Sequence, residues 1–169
     1  GVPASRIGER VWVWNAQWKR AFGTAAEFVT VPAACAVPLP DGVSFEAGAC
    51  LGIPAMTAAH VVATAETWAG STLLISGGAG AVSHYAIQFA KARGAVVITT
   101  VSSPAKAEMA RAAGADHVVD YRREDVGAAV AGLTGDAGVD AVIELDIAAN
   151  AGLLPQVLRP KGTVVIYGT

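Results

Sequence analysis

The sequence predicts an α/β domain with a doubly wound parallel sheet, preceded by a short β-rich section. Three observations carry this prediction. From residue 70 onward, apolar runs of strand length alternate with stretches of helical spacing. The alternation repeats roughly every 22 to 25 residues, and the apolar runs are nearly continuous, which is typical of parallel strands covered on both faces. The predicted strands are Thr72 to Ser76, Ala95 to Val101, His117 to Val119, Ala141 to Glu144 and Thr163 to Tyr167.

Residues 1–43 form the β-rich section, and Trp12, Trp14 and Trp18 lie in it. Aromatic and β-branched residues predict two strands here, Arg10 to Asn15 and Ala25 to Val31. The segment from Ala36 to Gly42 is rich in breakers and ends the section. The section is too short to close a barrel by itself.

Residues 44–69 predict two alanine-rich connecting helices, Phe45 to Leu51 and Met56 to Thr67. Residues 70–169 then form the α/β domain, with about five of the six strands that a complete dinucleotide-binding sheet contains. We therefore expect the domain to be incomplete at its C-terminus and the chain to be the middle of a longer enzyme.

Two helices of the α/β domain have recognisable apolar faces. The face of the first joins Val82, Tyr85, Ala86, Phe89 and Ala90. In the second helix, Met109 shares a face with Ala105, Ala112 and Ala113. This second helix has Ser103 as its N-cap and Pro104 at its first position, and it ends just before Gly114.

The first strand of the α/β domain runs into a glycine-rich turn, Gly77 to Gly80, which opens a helix. In a turn of the form G-x-G-x-x-G, the second glycine lets the backbone approach a pyrophosphate, and the third allows close packing of helix on strand. The helix N-terminus then offers free N–H groups and a positive dipole to the phosphates. Gly78 and Gly80 match this pattern, but Ser83 replaces the third glycine. We expect slightly wider packing or a weaker site as a result.

The end of the second strand indicates which nucleotide is bound. NAD-binding folds place an acidic residue there to hold the ribose 2′-hydroxyl, whereas the segment from Thr99 to Ser103 has none before Glu108. Its hydroxyl groups can donate hydrogen bonds to a 2′-phosphate, and Lys106, one turn away, supplies a positive charge. We therefore predict NADPH rather than NADH, with a merely solvated Lys106 as the alternative. Tyr121 and the two arginines after it flank the adenosine or form an exposed basic turn.

Composition excludes several other functions. A net charge of −2 provides neither a basic surface for nucleic acid nor a polybasic arm for a membrane, and no apolar run is long enough to cross a bilayer. Cys35 and Cys50 are isolated, so we predict small core residues in a reducing compartment. The chain opens without a basic segment or a hydrophobic region, so we predict no signal peptide and a cytoplasmic location.

Other catalytic motifs are also missing from the sequence. The histidines are scattered and form no zinc-hydrolase motif; they are His60, His84 and His117. Ser83 and His84 are adjacent, but neighbours on a helix point about 100° apart, and no nucleophile elbow surrounds the serine. Neither Tyr85 nor Tyr121 has a lysine four residues later, as short-chain dehydrogenases require. Asp146 faces the cofactor cleft or caps a helix, and we assign no catalytic residue.

These residues together resemble the medium-chain dehydrogenase/reductase superfamily, and most closely its zinc-independent NADPH:quinone oxidoreductase (zeta-crystallin-like) group. The resemblance extends over essentially the whole chain. It rests on the glycine turn and on Gly8 to Trp12, Gly23 to Val29, Val37 to Ser44, Ala55 to Ala59, Ala112 to Val118 and Leu158 to Thr163.

The resemblance implies a Rossmann domain preceded by the C-terminal part of a GroES-like substrate domain. It implies NADPH as the cofactor and a quinone or conjugated carbonyl (enone) as the hydride acceptor. It places Thr57 beside the nicotinamide, and Gly168 and Thr169 in a loop that reaches the nicotinamide. The other cofactor-binding residues that it implies are Ala79, Gly80, Ala81 and Val82 at the pyrophosphate, and Ser102, Lys106 and Tyr121 around the 2′-phosphate and adenosine.

The resemblance also carries expectations about metal and partners. Zinc-dependent relatives have a cysteine ligand shortly after the position of Cys50, where this chain reads Gly52-Ile53-Pro54, so we expect no metal. Asn15 lies in the substrate-side segment without an assigned role. We expect the full-length parent to form a homodimer. Two alternatives stay open: an NADPH-binding module without catalysis, which the serine at position 83 favours, and an enoyl-thioester reductase of the same superfamily.

Overall fold

The computed structural model describes residues 2–168. The chain divides into two compact units, Gly1–Met56 and Thr57–Thr169, and each is described by itself. Within the described range, no helix combines the length and the apolar character needed to span a membrane.

The first unit is built around a small antiparallel pair of strands. Strand β1 (Val11–Val13) pairs with β2 (Ala36–Pro38), so the centre of the predicted strand from Arg10 to Asn15 is confirmed. Helix α1 (Phe45–Ala49) follows, and the Ser44 side chain caps it by accepting a hydrogen bond from the Ala47 N–H at 3.2 Å. Short 3₁₀ turns cover Ala4–Arg6 and Ala33–Cys35.

One predicted strand of this unit is wrong, and one observed strand was not predicted. The segment from Ala25 to Val31 is irregular, and Phe28 is 91% exposed. A strand is stabilised only by neighbouring strands, and among residues 2–168 nothing pairs with this segment. The segment from Ala36 to Gly42, in contrast, begins with strand β2. Pro38 is tolerated there because it is the last residue of the strand, where its missing N–H disrupts little.

The expectation of two buried cysteines is also wrong. Cys35 is only half-buried and Cys50 is exposed. Helix α1 turns Gly48 inward, where a methyl group on this residue would come within 3.0 Å of the Leu39 side chain. Cys50 follows the end of that helix and therefore remains at the surface.

A π-helical turn over Leu51–Ala55, which contains Pro54, leads into α2 (Met56–Thr64). This second connecting helix is confirmed, although it ends three residues earlier than predicted. Its apolar side chains Ala58, Val61 and Val62 are buried in the core of the second unit.

The second unit is the predicted doubly wound α/β domain. Its five strands are parallel and lie in the order β5-β4-β3-β6-β7, which confirms all five predicted strands. The strands are β3 (Thr72–Ile75), β4 (Val96–Val101), β5 (His117–Asp120), β6 (Val139–Glu144) and β7 (Leu158–Ile166). The helices between them are α3 (Ala81–Ala92), α4 (Pro104–Ala112), α5 (Val126–Thr134), α6 (Ile147–Asn150) and α7 (Leu154–Val157).

Helices cover both faces of this sheet. Leu73 and Ile75 of β3 face the layer that contains α2, α3 and α4, whereas Leu74 faces Val130 of α5 and Val157 of α7. Since β4 and β6 lie on opposite sides of β3, the chain reverses its winding direction at the carboxyl end of β3. Crevices at such points are where open α/β sheets bind ligands.

The predicted apolar face is confirmed for α3 and is mostly wrong for α4. The face of α3 is confirmed, since Ala86 and Ala90 are fully buried and the larger apolar residues of the stripe pack around them. The face of α4 is wrong at three of its four residues: Met109 is 49% exposed, and Ala105 and Ala112 are also exposed, whereas Ala113 is buried as predicted. The buried residues are Ala107, Ala110 and Ala113, because only methyl-sized side chains let this helix pack closely on the sheet. The predicted Ser103 cap and the turn at Gly114 are confirmed.

Candidate nucleotide-binding site

The glycine turn joins the carboxyl end of β3 to α3, and strand β4 holds it in place. The Gly77 N–H donates to the Thr100 hydroxyl at 3.1 Å, and the Gly78 N–H donates to the Thr100 carbonyl at 3.0 Å. Gly77 has a φ of +66°, which favours glycine, and the Gly80 N–H closes the turn on the Gly77 carbonyl at 2.8 Å. These three hydrogen bonds hold the turn against the end of β4.

The N-terminus of α3 is open towards this edge of the sheet. Gly80 is the N-cap residue and supplies no side chain to cap the helix. The backbone N–H groups of Ala81 and Val82 lie in the first helical turn, where no carbonyl of the helix can accept from them. Their N–H groups and the helix dipole are thus available to an anion such as a pyrophosphate.

A cavity of about 280 Å³ lies beside the turn, between it and the start of α4. We call it the Lys106 cavity. Lys106 Nζ donates to Ser102 Oγ at 3.0 Å, and Tyr121 and Leu145 also line the cavity. None of the residues that line this cavity is acidic; they are Gly77, Ala79, Gly80, Val101, Ser102, Lys106, Tyr121 and Leu145.

A second cavity, of about 300 Å³, shares Gly77, Tyr121 and Leu145 with the first. We call it the Glu144 cavity. Glu144 is 1% exposed at the end of β6, and its carboxylate accepts three hydrogen bonds: from the Ser76 hydroxyl at 2.6 Å, the Asp146 N–H at 2.7 Å and the Asn150 side chain at 2.9 Å. Sequence reasoning did not single out Glu144, although an acid that ends an apolar strand is a usable signal.

The position of Asp146 agrees with both interpretations given above, that it faces the cleft and that it caps a helix. It lines the Glu144 cavity, and its carboxylate caps α6 by accepting from the Ala149 N–H at 3.1 Å. Its cap bond accounts for the position of the side chain without any ligand.

Ser83, which replaces the third glycine, is fully buried in the first turn of α3. Its hydroxyl lies 2.7 Å from the Ser76 carbonyl oxygen and 2.9 Å from the Tyr167 hydroxyl. Burial raises the pKa of the Tyr167 phenol, and the charge of Glu144 raises it further. Tyr167 was not predicted as a site residue, because its contact with Ser83 spans 84 positions of sequence.

The remaining predicted site residues are more dispersed. Thr57 lies on α2 and lines neither cavity. Gly168 packs so closely on the Leu145 carbonyl oxygen that no side chain would fit there. Thr169 lies outside the described residues. Thus the predicted residues that the structure brings together are those of the turn with Ser102, Lys106 and Tyr121.

The first unit has a cavity of its own, of about 520 Å³, lined in part by Asn15, Trp18, Lys19 and Cys50. Asn15 has a φ of +56°, a conformation that asparagine tolerates better than most residues. Nothing in this cavity assigns Asn15 a chemical role.

The possible metal ligands of the described residues are dispersed. Among residues 2–168, no three His, Cys, Asp or Glu side chains lie close enough together to hold an ion. His60, His84 and His117 belong to three different elements.

The chain is similar to known dehydrogenases and reductases. Residues 81–169 match a family model described as zinc-binding dehydrogenase. A quinone oxidoreductase of Pseudomonas aeruginosa is 37% identical over 134 residues, which cover 79% of this chain and 40% of that protein. A trans-enoyl reductase of Aspergillus terreus is 35% identical over 106 residues, which cover 62% of this chain and 30% of that protein.

A solved structure gives the same result for the fold. The quinone oxidoreductase of Thermus thermophilus, whose structures include a complex with NADPH, superposes with a TM-score of 0.82 at 28% identity. The match covers 99% of this chain and 52% of that one. The chain thus spans about half the length, or less, of the relatives that it matches.

Proposed function

Because the chain belongs to the zinc-binding dehydrogenase family, we propose that it binds NADPH and serves in hydride transfer from NADPH to a quinone or a conjugated carbonyl compound. The resemblance to medium-chain dehydrogenases supports this activity, as do the quinone oxidoreductase relatives. Bound NADPH would supply the hydride, and the protein would supply binding and orientation.

The composition of the Lys106 cavity is the observation that carries the choice of NADPH. Lys106 and Ser102 offer an ammonium and a hydroxyl 3.0 Å apart, and no carboxylate lines the cavity. A doubly charged 2′-phosphate would therefore gain charge-assisted hydrogen bonds there without facing a like charge. The open N-terminus of α3 would hold the pyrophosphate next to it.

The proposed roles of the predicted site residues follow from this orientation. Ala79, Gly80, Ala81 and Val82 would present backbone to the pyrophosphate, and Tyr121 would flank the adenosine. We retain Thr57, Gly168 and Thr169 as proposed neighbours of the nicotinamide, on the resemblance alone.

We further propose that the reaction proceeds without zinc, because Gly52-Ile53-Pro54 stand where the resemblance places a cysteine ligand of the zinc-dependent relatives. Electron-poor quinones and enones accept a hydride more readily than simple ketones, so positioning of the nicotinamide is the main task left to the protein. Residues 1–43 would be the C-terminal part of a GroES-like substrate domain.

The binding proposal is tested by titrating the chain with NADPH and NADH and following the fluorescence of the reduced nicotinamide. We expect wild type to prefer NADPH, and Lys106→Ala to weaken NADPH by about tenfold or more while leaving NADH unchanged. Arg111→Ala is the matched control, because it removes an exposed positive charge from the same helix, where Arg111 pairs with Glu108. Equal affinities for both nucleotides in all three proteins would refute the 2′-phosphate assignment.

A panel of acceptors tests the activity of the full-length parent. Oxidation of NADPH by 1,4-benzoquinone or a simple enone supports the proposed reaction. The trans-enoyl reductase relative favours a second candidate, reduction of an enoyl thioester, and selective turnover of such a thioester would identify it. Binding of NADPH without turnover of any acceptor would favour the module without catalysis.

We also propose that the full-length parent is a homodimer. This proposal rests on the resemblance to the superfamily alone. Light scattering combined with gel filtration measures the mass directly, and a monomer at micromolar concentration would contradict the proposal.

A further inference from the structure

The Ser83 hydroxyl makes two hydrogen bonds within the protein and has no donor left for an anionic ligand. The Ser76 carbonyl, 2.7 Å away, can only accept a hydrogen bond. The single hydroxyl proton of Ser83 is therefore donated to Ser76. The Tyr167 phenol, 2.9 Å from the same Ser83 oxygen, must then be the donor in the second bond.

The phenol is suited to that role. Burial raises the pKa of Tyr167 above its usual value, so the phenol keeps its proton at neutral pH. Ser83 thus connects two strands that are not neighbours in the sheet: its donated bond reaches the end of β3, and its accepted bond reaches the residue that follows β7.

The sheet order shows which part of the cofactor would lie near this connection. The Lys106 cavity lies on the β4 side of the glycine turn. With the 2′-phosphate there and the pyrophosphate on the turn, an extended dinucleotide must continue to the opposite side, over the ends of β6 and β7. Tyr167 and Gly168 occupy that side: the Tyr167 N–H donates to the Glu144 carbonyl at 3.1 Å, and Gly168 packs on Leu145.

We propose that Ser83 and Tyr167 are positioning residues for the nicotinamide half of NADPH. The inference rests on the proposed function and deepens it. The hydrogen bond from Tyr167 to Ser83 fixes the end of β7 relative to the pyrophosphate turn, and so determines where the nicotinamide lies. A glycine at position 83 would provide close packing but no such connection. The serine is therefore a functional feature of the turn rather than a weakened glycine position.

The test compares the binding of NADPH with the binding of 2′,5′-ADP. The second ligand has the 2′-phosphate and the adenosine but no nicotinamide. We expect Ser83→Ala and Tyr167→Phe each to lower the affinity for NADPH by about threefold to tenfold, the usual range for loss of one hydrogen bond. Both variants should bind 2′,5′-ADP within about twofold of wild type. The double variant should be no weaker for NADPH than Ser83→Ala alone, because the two side chains share one bond. Calorimetry on the 169-residue chain measures both ligands.

Two controls separate positioning from general damage. Tyr85→Phe removes a phenol from the same helix, and among the described residues the Tyr85 hydroxyl makes no hydrogen bond, so both ligands should bind as in wild type. Lys106→Ala should weaken NADPH and 2′,5′-ADP together. If Ser83→Ala fails to fold, Tyr167→Phe alone carries the test, because it keeps the Ser83 bond to Ser76.

The possible results are distinguishable. Equal weakening of NADPH and 2′,5′-ADP by Tyr167→Phe, or no weakening of either, would overturn the positioning role while leaving the NADPH proposal intact. If the losses of NADPH affinity in the two single variants simply add in the double variant, the two side chains do not act through one shared hydrogen bond. A wild-type chain that binds neither ligand would overturn the proposed function, and the positioning role with it.

Discussion

Gly78 packs directly on the side chain of Thr99: a methyl group on residue 78 would come within 2.8 Å of Thr99 Cγ2. Thr99 has no room to move away. It is fully buried in the central part of β4, and its hydroxyl donates to the Ile75 carbonyl at 2.5 Å. The close approach of the glycine turn to β4 therefore requires a residue without a β-carbon at position 78.

This contact predicts that Gly78→Ala destabilises the chain by about 1–3 kcal/mol, the usual cost of overpacking a buried site. It should also weaken NADPH, because the turn must shift. Gly132→Ala is the matched control: Gly132 lies in helix α5 with open space around it, so alanine should stabilise the chain by up to about 1 kcal/mol. Urea unfolding measures both, and destabilisation of the same size in the two variants would contradict the explanation.

The carboxylate of Asp116 predicts a pH-dependent contribution to stability. Partial burial acts to raise its pKa, but two bonds from the Lys91 ammonium, at 2.8 and 2.7 Å, and one from the Val97 N–H outweigh burial. The pKa of Asp116 is therefore lower in the folded chain than the unfolded value of about 3.9. The contribution is fully present above about pH 4 and is lost as the pH falls through the lowered pKa.

We therefore expect Asp116→Asn to lower the free energy of unfolding at pH 7 by about 1 kcal/mol, a modest value because a third of the side chain is exposed. The difference from wild type should diminish below pH 4. Glu108→Gln is the control, since its partner Arg111 is 54% exposed and such pairs contribute little. Urea unfolding at pH 7 and pH 3 gives the comparison, and a pH-independent difference would contradict the assignment.

The sequence predicted the elements whose signal is local. Buried parallel strands such as β3 and β6 are apolar on both faces, so their pattern is visible without any knowledge of neighbours. The glycine turn and the Ser102–Lys106 pair are separated by one βα unit and were also predictable. The family resemblance rested on motifs spread along the chain, and the match to the family model confirms it.

The features that the sequence did not predict depend on contacts between distant residues. The segment from Ala25 to Val31 has strand-like residues but no strand beside it in the described range. In α4, hydrophobicity favoured Met109 as buried, whereas close packing selects alanines. Ser83 and Tyr167 are 84 positions apart, and no local pattern could have revealed their contact.

The carboxylate of Glu144 is almost completely buried and is stabilised there by three hydrogen bonds. Glu144→Ala would leave the Ser76 hydroxyl, the Asp146 N–H and the Asn150 amide without their acceptor, and we expect a loss of about 3 kcal/mol or more. Glu144→Gln should cost only about 1 kcal/mol. Its oxygen can accept from Asp146 and Asn150, while its amide donates to the Ser76 oxygen after the serine hydroxyl rotates.

Ser76→Ala separates this explanation from a need for the negative charge. In that background, the Glu144→Gln amide loses its acceptor, so the substitution should become more costly by about 1–3 kcal/mol. Urea unfolding of the four proteins gives the coupling as a double-mutant cycle. If Glu144→Gln is as damaging as Glu144→Ala in the wild-type background, the charge itself is required, and hydrogen bonding alone does not explain why an acid ends β6.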